Sequence, residues 1–220
     1  MVENSLVAGS LYREIRKRIL SGLYLPGTVL RQQDIAEQFD TSRVPLREAF
    51  SKLEAEGFLI LRPQRGYAVA SLTPADITEI FNLRAVLERH AGQLATRMQR
   101  NGDAQAVDAL IEELAGASRN GVSDIDHWCR VSRELQERML ECCQSPRLQQ
   151  MVQQLRDLVE LYIRMELNQT RDVTEIMRDY EEIAAGFKSG DADLVGELWA
   201  VHCSRTAQRL LANLPSLSRG

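Results

Sequence analysis

The sequence is poor in the residues that mark several classes of protein. Only 5% of its 220 residues are aromatic and only six are proline, which argues against a β-sandwich or a disordered chain and favours helices. No apolar run approaches the roughly 20 residues that a membrane span needs. The first residues also lack the basic-then-apolar pattern of a signal peptide. We therefore expect a cytoplasmic protein.

Cysteine pairs of the kind that bind metals or form redox centres are also missing. The four cysteines, Cys129, Cys142, Cys143 and Cys203, contain no CxxC spacing. Cys142 and Cys143 are neighbours on a predicted helix, where they cannot comfortably form a disulfide with each other. The sequence therefore predicts reduced, mostly structural thiols.

There is no overall excess of basic residues either, because the formal net charge is −4. The charges are unevenly distributed, however. Residues 1–70 contain ten Lys and Arg against eight Asp and Glu, whereas residues 71–220 contain seventeen against twenty-three. A mildly basic head thus precedes an acidic body, and the net charge does not exclude nucleic acid as a partner.

The spacing of apolar residues predicts three helices and a β-hairpin in the head. The helices are expected over 5–21, 32–39 and 43–56, the hairpin over 58–61 and 67–69, and a short extended piece over 28–30. Asp40 holds the turn between the second and third helices, where a left-handed residue is wanted. This is the order of elements in a winged helix-turn-helix.

Helix-stop and capping residues divide the rest of the chain into six predicted helices. They are expected over 74–100, 104–119, 124–143, 146–168, 172–188 and 192–212. We predict a mostly α protein with two domains: a winged helix-turn-helix over 1–70 and an antiparallel six-helix bundle over 74–214.

Two arginines stand at the start of the predicted recognition helix. Arg43 and Arg47 are four residues apart, so both side chains lie on one face. Guanidinium groups at this position reach phosphates or a guanine edge in the major groove. A pair of arginines at this spacing also fits an ordinary solvated helix face.

The head is similar to the DNA-binding domain of the GntR family. The similarity covers residues 8–70 and is carried by the stretch SRVPLREAF, the EAEG that closes the recognition helix and the RGY of the wing. It implies that Arg43 and Arg47 contact DNA directly, and that the other contacts come from Arg31, Ser42, Pro45, Arg65 and Gly66. Asp40 replaces the glycine that is usual in the family.

Polar residues interrupt the apolar stripes of the second domain. They are Arg84, Ser132, Gln136, Tyr180 and His202, and they come from four predicted helices. Polar groups inside a bundle need partners. An internal hydrogen-bond network, with Arg84 and Glu88 pairing at i and i+4, would supply them. A ligand cavity is the alternative that we favour, because four helices contribute.

The second domain resembles the FCD ligand-binding domain of the FadR branch of this family, in its six-helix, VanR-like form. The resemblance is carried by LRAVLE at 83–88 and by SGDA followed by His202. Many such domains hold a divalent metal, and alignment puts Ser132, Gln136, Tyr180 and His202 at the ligand positions. Only His202 is a good ligand among them, so we expect no metal cofactor. Arg84 favours an acidic effector.

These observations predict a homodimeric transcription regulator that binds operator DNA and a small-molecule effector, with no membrane partner. Two other functions remain open. An enzyme could use His202 and Tyr180 for acid-base chemistry, although Cys203 adjoins His202 and points away from it. A DNA-binding scaffold would use the helical domain only to dimerise.

Overall fold

A computed structural model describes residues 2–63, 66–118 and 122–217. The chain divides into two compact units. The first comprises the chain up to Thr73 together with Asp157–Leu161, and the second comprises Pro74–Arg156 together with the chain from Tyr162 onwards. The mostly helical fold that the sequence predicts is confirmed.

The first unit contains the predicted helices and hairpin. Its elements are α1 (Val2–Leu20), β1 (Val29–Leu30), α2 (Gln32–Gln38), α3 (Arg43–Ala55), β2 (Leu59–Arg62) and β3 (Gly66–Val69). The three strands form an antiparallel sheet in the order β1-β3-β2. In the hairpin, Leu59 lies opposite Val69. The short piece predicted at 28–30 is therefore the third strand of the sheet.

The apolar stripes of α1 and α3 form the core of this unit. Ile15 on α1 and Leu46, Phe50 and Leu53 on α3 are completely buried. The ring of Tyr67 from β3 meets that of Phe50 edge-on, with 5.0 Å between centroids. Burying these side chains removes apolar surface from water and fixes one face of α3 inward. The other face of α3 is left exposed.

Left-handed residues mark the ends of α2 and α3 in the first unit. Asp40 has φ 46°, which confirms the conformation predicted for the turn before α3. Aspartate adopts this region more readily than most residues, although less readily than glycine. Gly57 has φ 83° and follows the end of α3, as its position in the sequence predicts.

The second unit contains six helices within the described residues. They are α4 (Pro74–Met98), α5 (Asp103–Ser118), α6 (Ile125–Cys142), α7 (Pro146–Thr170), α8 (Thr174–Ser189) and α9 (Ala192–Leu217). The structure differs from prediction mainly in α9, which continues past residue 212. Asn213 lies within the helix, and its side-chain amide donates a hydrogen bond of 2.9 Å to the carbonyl oxygen of Arg209.

Helices α4 and α9 pack closely because glycines lie at their contact. A Cβ atom on Gly92 would lie 2.6 Å from Cδ1 of Trp199, and one on Gly196 would lie 3.0 Å from the carbonyl oxygen of Arg89. A larger residue at either position would therefore push the two helices apart. This close approach brings polar side chains of α4 near those of α9.

The four cysteines are all free and buried, in agreement with the prediction of structural thiols. Burial raises the pKa of Cys203 to about 12, with the Glu88 carboxylate adding to the effect. Burial also raises the pKa of Cys142 to about 11, helped by Asp103. A helix with the length and hydropathy to cross a bilayer is not found in the described part of the chain.

Candidate functional site

The exposed face of α3 presents the arginines that the sequence singled out. Arg43 and Arg47 are both exposed, whereas Leu46 and Phe50 on the same helix face the core. Ser42 occupies the N-cap position in an extended conformation, but its hydroxyl makes no capping hydrogen bond. The hydroxyl and both guanidinium groups are therefore available to a partner at the start of the helix.

A second helix contributes to this surface. Nη2 of Arg43 donates 3.2 Å to Oε1 of Gln33 on α2, and Arg31, the N-cap residue of α2, is exposed. Val44 is 49% exposed although it is apolar. Sequence reasoning missed Gln33 and Val44. An apolar residue between Arg43 and Arg47, away from the core spacing of the helix, was the signal for Val44.

The other residues predicted to contact DNA, Pro45, Gly66 and Arg65, are not part of the exposed face of α3. Pro45 is buried in the first turn of α3, so we now assign it to shaping the helix start rather than to touching DNA. Gly66 begins β3 with φ 85°, and a Cβ atom there would lie 3.4 Å from the carbonyl oxygen of Leu30. Arg65, the other wing residue predicted to contact DNA, lies outside the described residues.

This surface suits a nucleic-acid duplex. The N-terminal turn of a recognition helix inserts into the major groove, where arginines reach base edges. Exposed hydroxyl and guanidinium groups also contact phosphates, which position the protein without reading the sequence.

A buried charge cluster lies in the second unit. Nε of Arg84 donates a hydrogen bond of 2.7 Å to Oε1 of Glu88, one turn away on α4. Nη2 of Arg156 from α7 donates a hydrogen bond of 2.6 Å to the other carboxylate oxygen of Glu88. The side chains of Arg84, Glu88 and Arg156 are 3%, 1% and 8% exposed. We call these three residues the charge triad.

The triad leaves donors unused and carries a net positive charge. Nη1 of Arg84 and both Nε and Nη1 of Arg156 are buried without a hydrogen-bond partner. Burial alone would raise the pKa of Glu88, but Arg156 and Arg84 lower it to about 2. Two guanidinium groups therefore surround one carboxylate at neutral pH.

Three of the predicted effector residues form one hydrogen-bond network. The hydroxyls of Ser132 on α6 and Tyr180 on α8 are 2.9 Å apart. The amide of Gln136 lies one turn after Ser132 and donates to both hydroxyls. Burial is the main reason that the pKa of Tyr180 is raised, so its hydroxyl stays protonated.

His202, the fourth such residue, lies beside this network and is held by a carboxylate. Its ring lies 5.1 Å from that of Tyr180 and 5.7 Å from that of Trp199. Nδ1 lies 3.1 Å from Oδ2 of Asp179, whose other oxygen pairs with Arg205. Burial lowers the pKa of His202 despite Asp179. The neutral imidazole therefore donates its Nδ1 proton to the carboxylate.

The network stands where the family resemblance implies a metal, and its donors do not fit one. The four positions supply two hydroxyls, an amide and one imidazole from Ser132, Gln136, Tyr180 and His202. Zinc and related ions prefer imidazole, thiolate or carboxylate ligands. Among the residues that the structure describes, no cluster of three His, Cys, Asp or Glu side chains is placed to hold a metal ion.

A narrow cavity adjoins the triad and the network. Its polar lining is Glu88, Gln136 and Arg156, and its apolar lining includes Ala91, Ala95, Met139 and Leu140, with Gly92 and Trp199 completing it. About 10 Å³ is open to the centre of a water molecule, which is close to the room that one water needs. A larger ligand must therefore move side chains.

The structure brings the five predicted effector residues into one region and adds two that sequence reasoning missed. The charge of Arg84 acts on both Tyr180 and His202. The additions are Arg156, which pairs across 68 positions with Glu88, and Asp179, which orients His202. A carboxylate directly before Tyr180 was a usable signal. Arg156 stands in a run of polar residues and gave none.

Comparison with known proteins bears on both units. A model of the FCD domain matches residues 79–205, and a model described as bacterial regulatory proteins, gntR family, matches residues 7–69. The HTH-type regulator YdhC of Bacillus subtilis (strain 168) is 26% identical over 201 residues, covering 90% of this chain and 88% of its own length. The HTH-type repressor GlaR of Escherichia coli (strain K12) is 28% identical over 202 residues, covering 87% and 90%.

A solved structure shows the same fold. The E. coli protein McbR/YncC superposes with a TM-score of 0.81 at 22% sequence identity, over 94% of this chain and 98% of that one. YdhC and GlaR are described as an HTH-type transcriptional regulator and an HTH-type transcriptional repressor, respectively.

Proposed function

Because this chain belongs to the GntR family of bacterial regulators and carries an FCD domain, we propose that it is a repressor released from operator DNA by a small organic acid. Family membership makes it a DNA-binding transcription regulator with a ligand-binding C-terminal domain. Repression is proposed because the relative GlaR is named a repressor. Since its target is chromosomal DNA, we also propose that it works in the cytoplasm.

The charge triad carries the proposal of an acidic effector. Arg84 and Arg156 share the single carboxylate of Glu88, and three of their nitrogen atoms have no hydrogen-bond partner. An uncompensated buried charge is unfavourable, and so is a buried donor without an acceptor. A ligand carboxylate satisfies both needs, because it brings a negative charge and two acceptor oxygens.

We further propose that the effector binds without a metal ion. Ser132, Gln136 and Tyr180 already satisfy one another by hydrogen bonds. A divalent cation among neutral oxygen donors and one imidazole would lack the anionic ligands that offset its charge. His202 instead offers Nε2 as an acceptor, since its Nδ1 proton is committed to Asp179.

For the DNA interface we propose contacts from the exposed residues at the start of α3 and around it. In this proposal Arg43 and Arg47 reach base edges, and Arg31, Ser42 and Gly66 contact the DNA backbone; the support is that Arg31, Ser42, Arg43 and Arg47 are exposed. An effector acts on this binding only through its different affinities for the free and DNA-bound protein. The coupling is reciprocal, so operator DNA should weaken the binding of a releasing effector.

The effector proposal is tested by operator release from EDTA-dialysed protein. A fluorescent operator, selected from random duplexes, is bound at fixed ionic strength and titrated with hexanoate, benzoate, hexanedioate and gluconate. We expect at least one acid to release it. In Arg156→Gln the acid concentration needed for release should rise about 10- to 100-fold, which is the effect of losing a hydrogen bond to a charged group. Operator affinity should be unchanged when no acid is present.

The matched control is Arg89→Gln, which removes an exposed arginine of α4 that pairs with Glu197, and it should respond like the parent protein. If no acid releases the operator, the helical domain acts as a scaffold and the proposal fails. Release that returns only when zinc or nickel is added, and is lost in His202→Ala, would contradict the metal-free part.

We also predict a homodimer. One winged helix reads a single half-site, and two-fold operators match two-fold proteins. Sedimentation velocity at micromolar concentration should give the mass of two chains, each of 24.9 kDa. A single-chain mass both with and without operator would refute this prediction.

A further inference from the structure

We infer that the effector of this regulator is a monoanion with an apolar end, such as an aliphatic or aromatic monocarboxylate. The inference rests on the proposed effector site and narrows the chemistry of its ligand. It excludes dicarboxylates and sugar acids as the preferred class. Three observations carry it: the count of buried charges, the unused donors of Arg156 in the cavity lining, and the apolar composition of the other lining residues.

The buried charges of the triad are balanced by one additional negative charge. Arg84 and Arg156 contribute two positive charges and Glu88 one negative charge, and all three side chains are buried. The other nearby carboxylate, Asp179, is already paired with Arg205 and His202. One ligand carboxylate therefore brings the triad to neutrality. A second would be buried without a partner, which is strongly unfavourable.

Arg156 is the residue with unused donors that also lines the cavity. Its Nε and Nη1 atoms have no hydrogen-bond partner. Nε and Nη1 share no edge of the guanidinium group, because Nη2, which donates to Glu88, lies between them; a ligand carboxylate therefore accepts from one of them. A carboxylate that accepts from Arg156 lies at the lining of this cavity, so its substituent meets the other lining residues.

The rest of the cavity offers little to a polar substituent. Ala91, Ala95, Met139, Leu140 and Trp199 are apolar, and the amide of Gln136 is the other polar group there besides the triad. That amide already donates to Ser132 and Tyr180. The several hydroxyls of a sugar acid would lose water without gaining partners, whereas a hydrocarbon chain or ring gains by burial.

The side chains that line the cavity can also rearrange to admit a larger ligand. Room for about one water is open, so an acid with a hydrocarbon chain must displace side chains. Met139 is unbranched and buried at 3% exposure, and such side chains readily adopt other rotamers. The lining residues Ala91 and Ala95 of α4 are small.

The test compares acids of equal carbon number by calorimetry on the full chain. Hexanoate is compared with hexanedioate, gluconate and uncharged hexanamide at constant pH and salt. We expect hexanoate to bind about 10- to 100-fold more tightly than each of the others, since each lacks a charged contact or adds an unpaired polar group. Its heat-capacity change should be negative, as burial of apolar surface requires.

A second variant should bind one ligand more tightly, a result that a folding defect does not produce. Met139→Ala should enlarge the apolar part of the cavity. The affinity for octanoate relative to that for hexanoate should then be higher in the variant than in the parent protein, by roughly fourfold for each of the added methylene groups. Equal or tighter binding of hexanedioate or gluconate, lost in Arg156→Gln, would overturn this inference and leave the proposed function intact. Binding of none of these acids would overturn both.

Discussion

Replacing Glu88 with glutamine is expected to lower the free energy of unfolding by about 3–5 kcal/mol, the usual effect of breaking a buried ion pair. The substitution keeps the size and shape of the side chain but removes the one negative charge between Arg84 and Arg156. Two like charges would then lie close together in a region where Glu88 is 1% exposed. Water can do little to screen them there.

Urea unfolding followed by circular dichroism measures this effect. Glu197→Gln is the matched control, because Glu197 also pairs with an arginine of α4 but its side chain is 58% exposed. It should change stability by no more than about 0.5 kcal/mol. Adding Arg156→Gln to Glu88→Gln restores the original net charge and should recover part of the loss. Equal stability of the Glu88→Gln and parent proteins would contradict the buried triad.

The same residue predicts a dependence on pH. Although burial would raise it, the guanidinium groups of Arg156 and Arg84 lower the pKa of Glu88 from 4.5 to about 2 in the folded protein. The unfolded chain therefore takes up the proton first as pH falls. The stabilisation is complete above pH 4.5 and is lost between there and about pH 2. This part of the pH dependence should be absent in Glu88→Gln.

Removing the arginines of the recognition helix is expected to weaken operator binding strongly. Arg43→Ala and Arg47→Ala should each reduce specific affinity by about 1–3 kcal/mol if the guanidinium group contacts a base. If the contact is to phosphate, affinity should fall similarly for all sequences, and the salt dependence should weaken by about one ion. Both side chains are exposed, so folding should be unaffected.

Gel-shift titrations at several salt concentrations separate these cases. Lys52→Ala is the control, because it removes a positive charge from the same helix. The ammonium of Lys52 lies 3.9 Å from the centroid of the Tyr12 ring, at the other end of α3. Its substitution should change operator affinity little. If both arginine variants keep the parent affinity, the recognition helix has been wrongly assigned.

Much of the fold could be predicted because its signals are local. Apolar spacing over one or two turns located the helices, and Gly57 and Asp40 marked turns through their backbone conformations. The pairing of Arg84 with Glu88 was one of two alternatives at the sequence level, because i and i+4 residues meet on any helix. The structure contains that pair, with a third member.

Long-range partners could not be predicted in the same way. Arg156 lies among glutamines and charged residues of α7, a composition that is typical of a solvated face. Its burial depends on how α7 packs within the second unit, which the spacing along one helix does not reveal. The predicted end of α9 at residue 212 was also wrong, because the helix continues to Leu217.

The four buried thiols bear on how the protein meets oxidative stress. A cysteine reacts with peroxide as the thiolate and only when reagents reach it. Cys203 is completely buried, and its pKa of about 12 leaves almost no thiolate at neutral pH. Cys142, with a pKa of about 11, is similarly unreactive. A burst of oxidant should therefore leave these two residues unmodified.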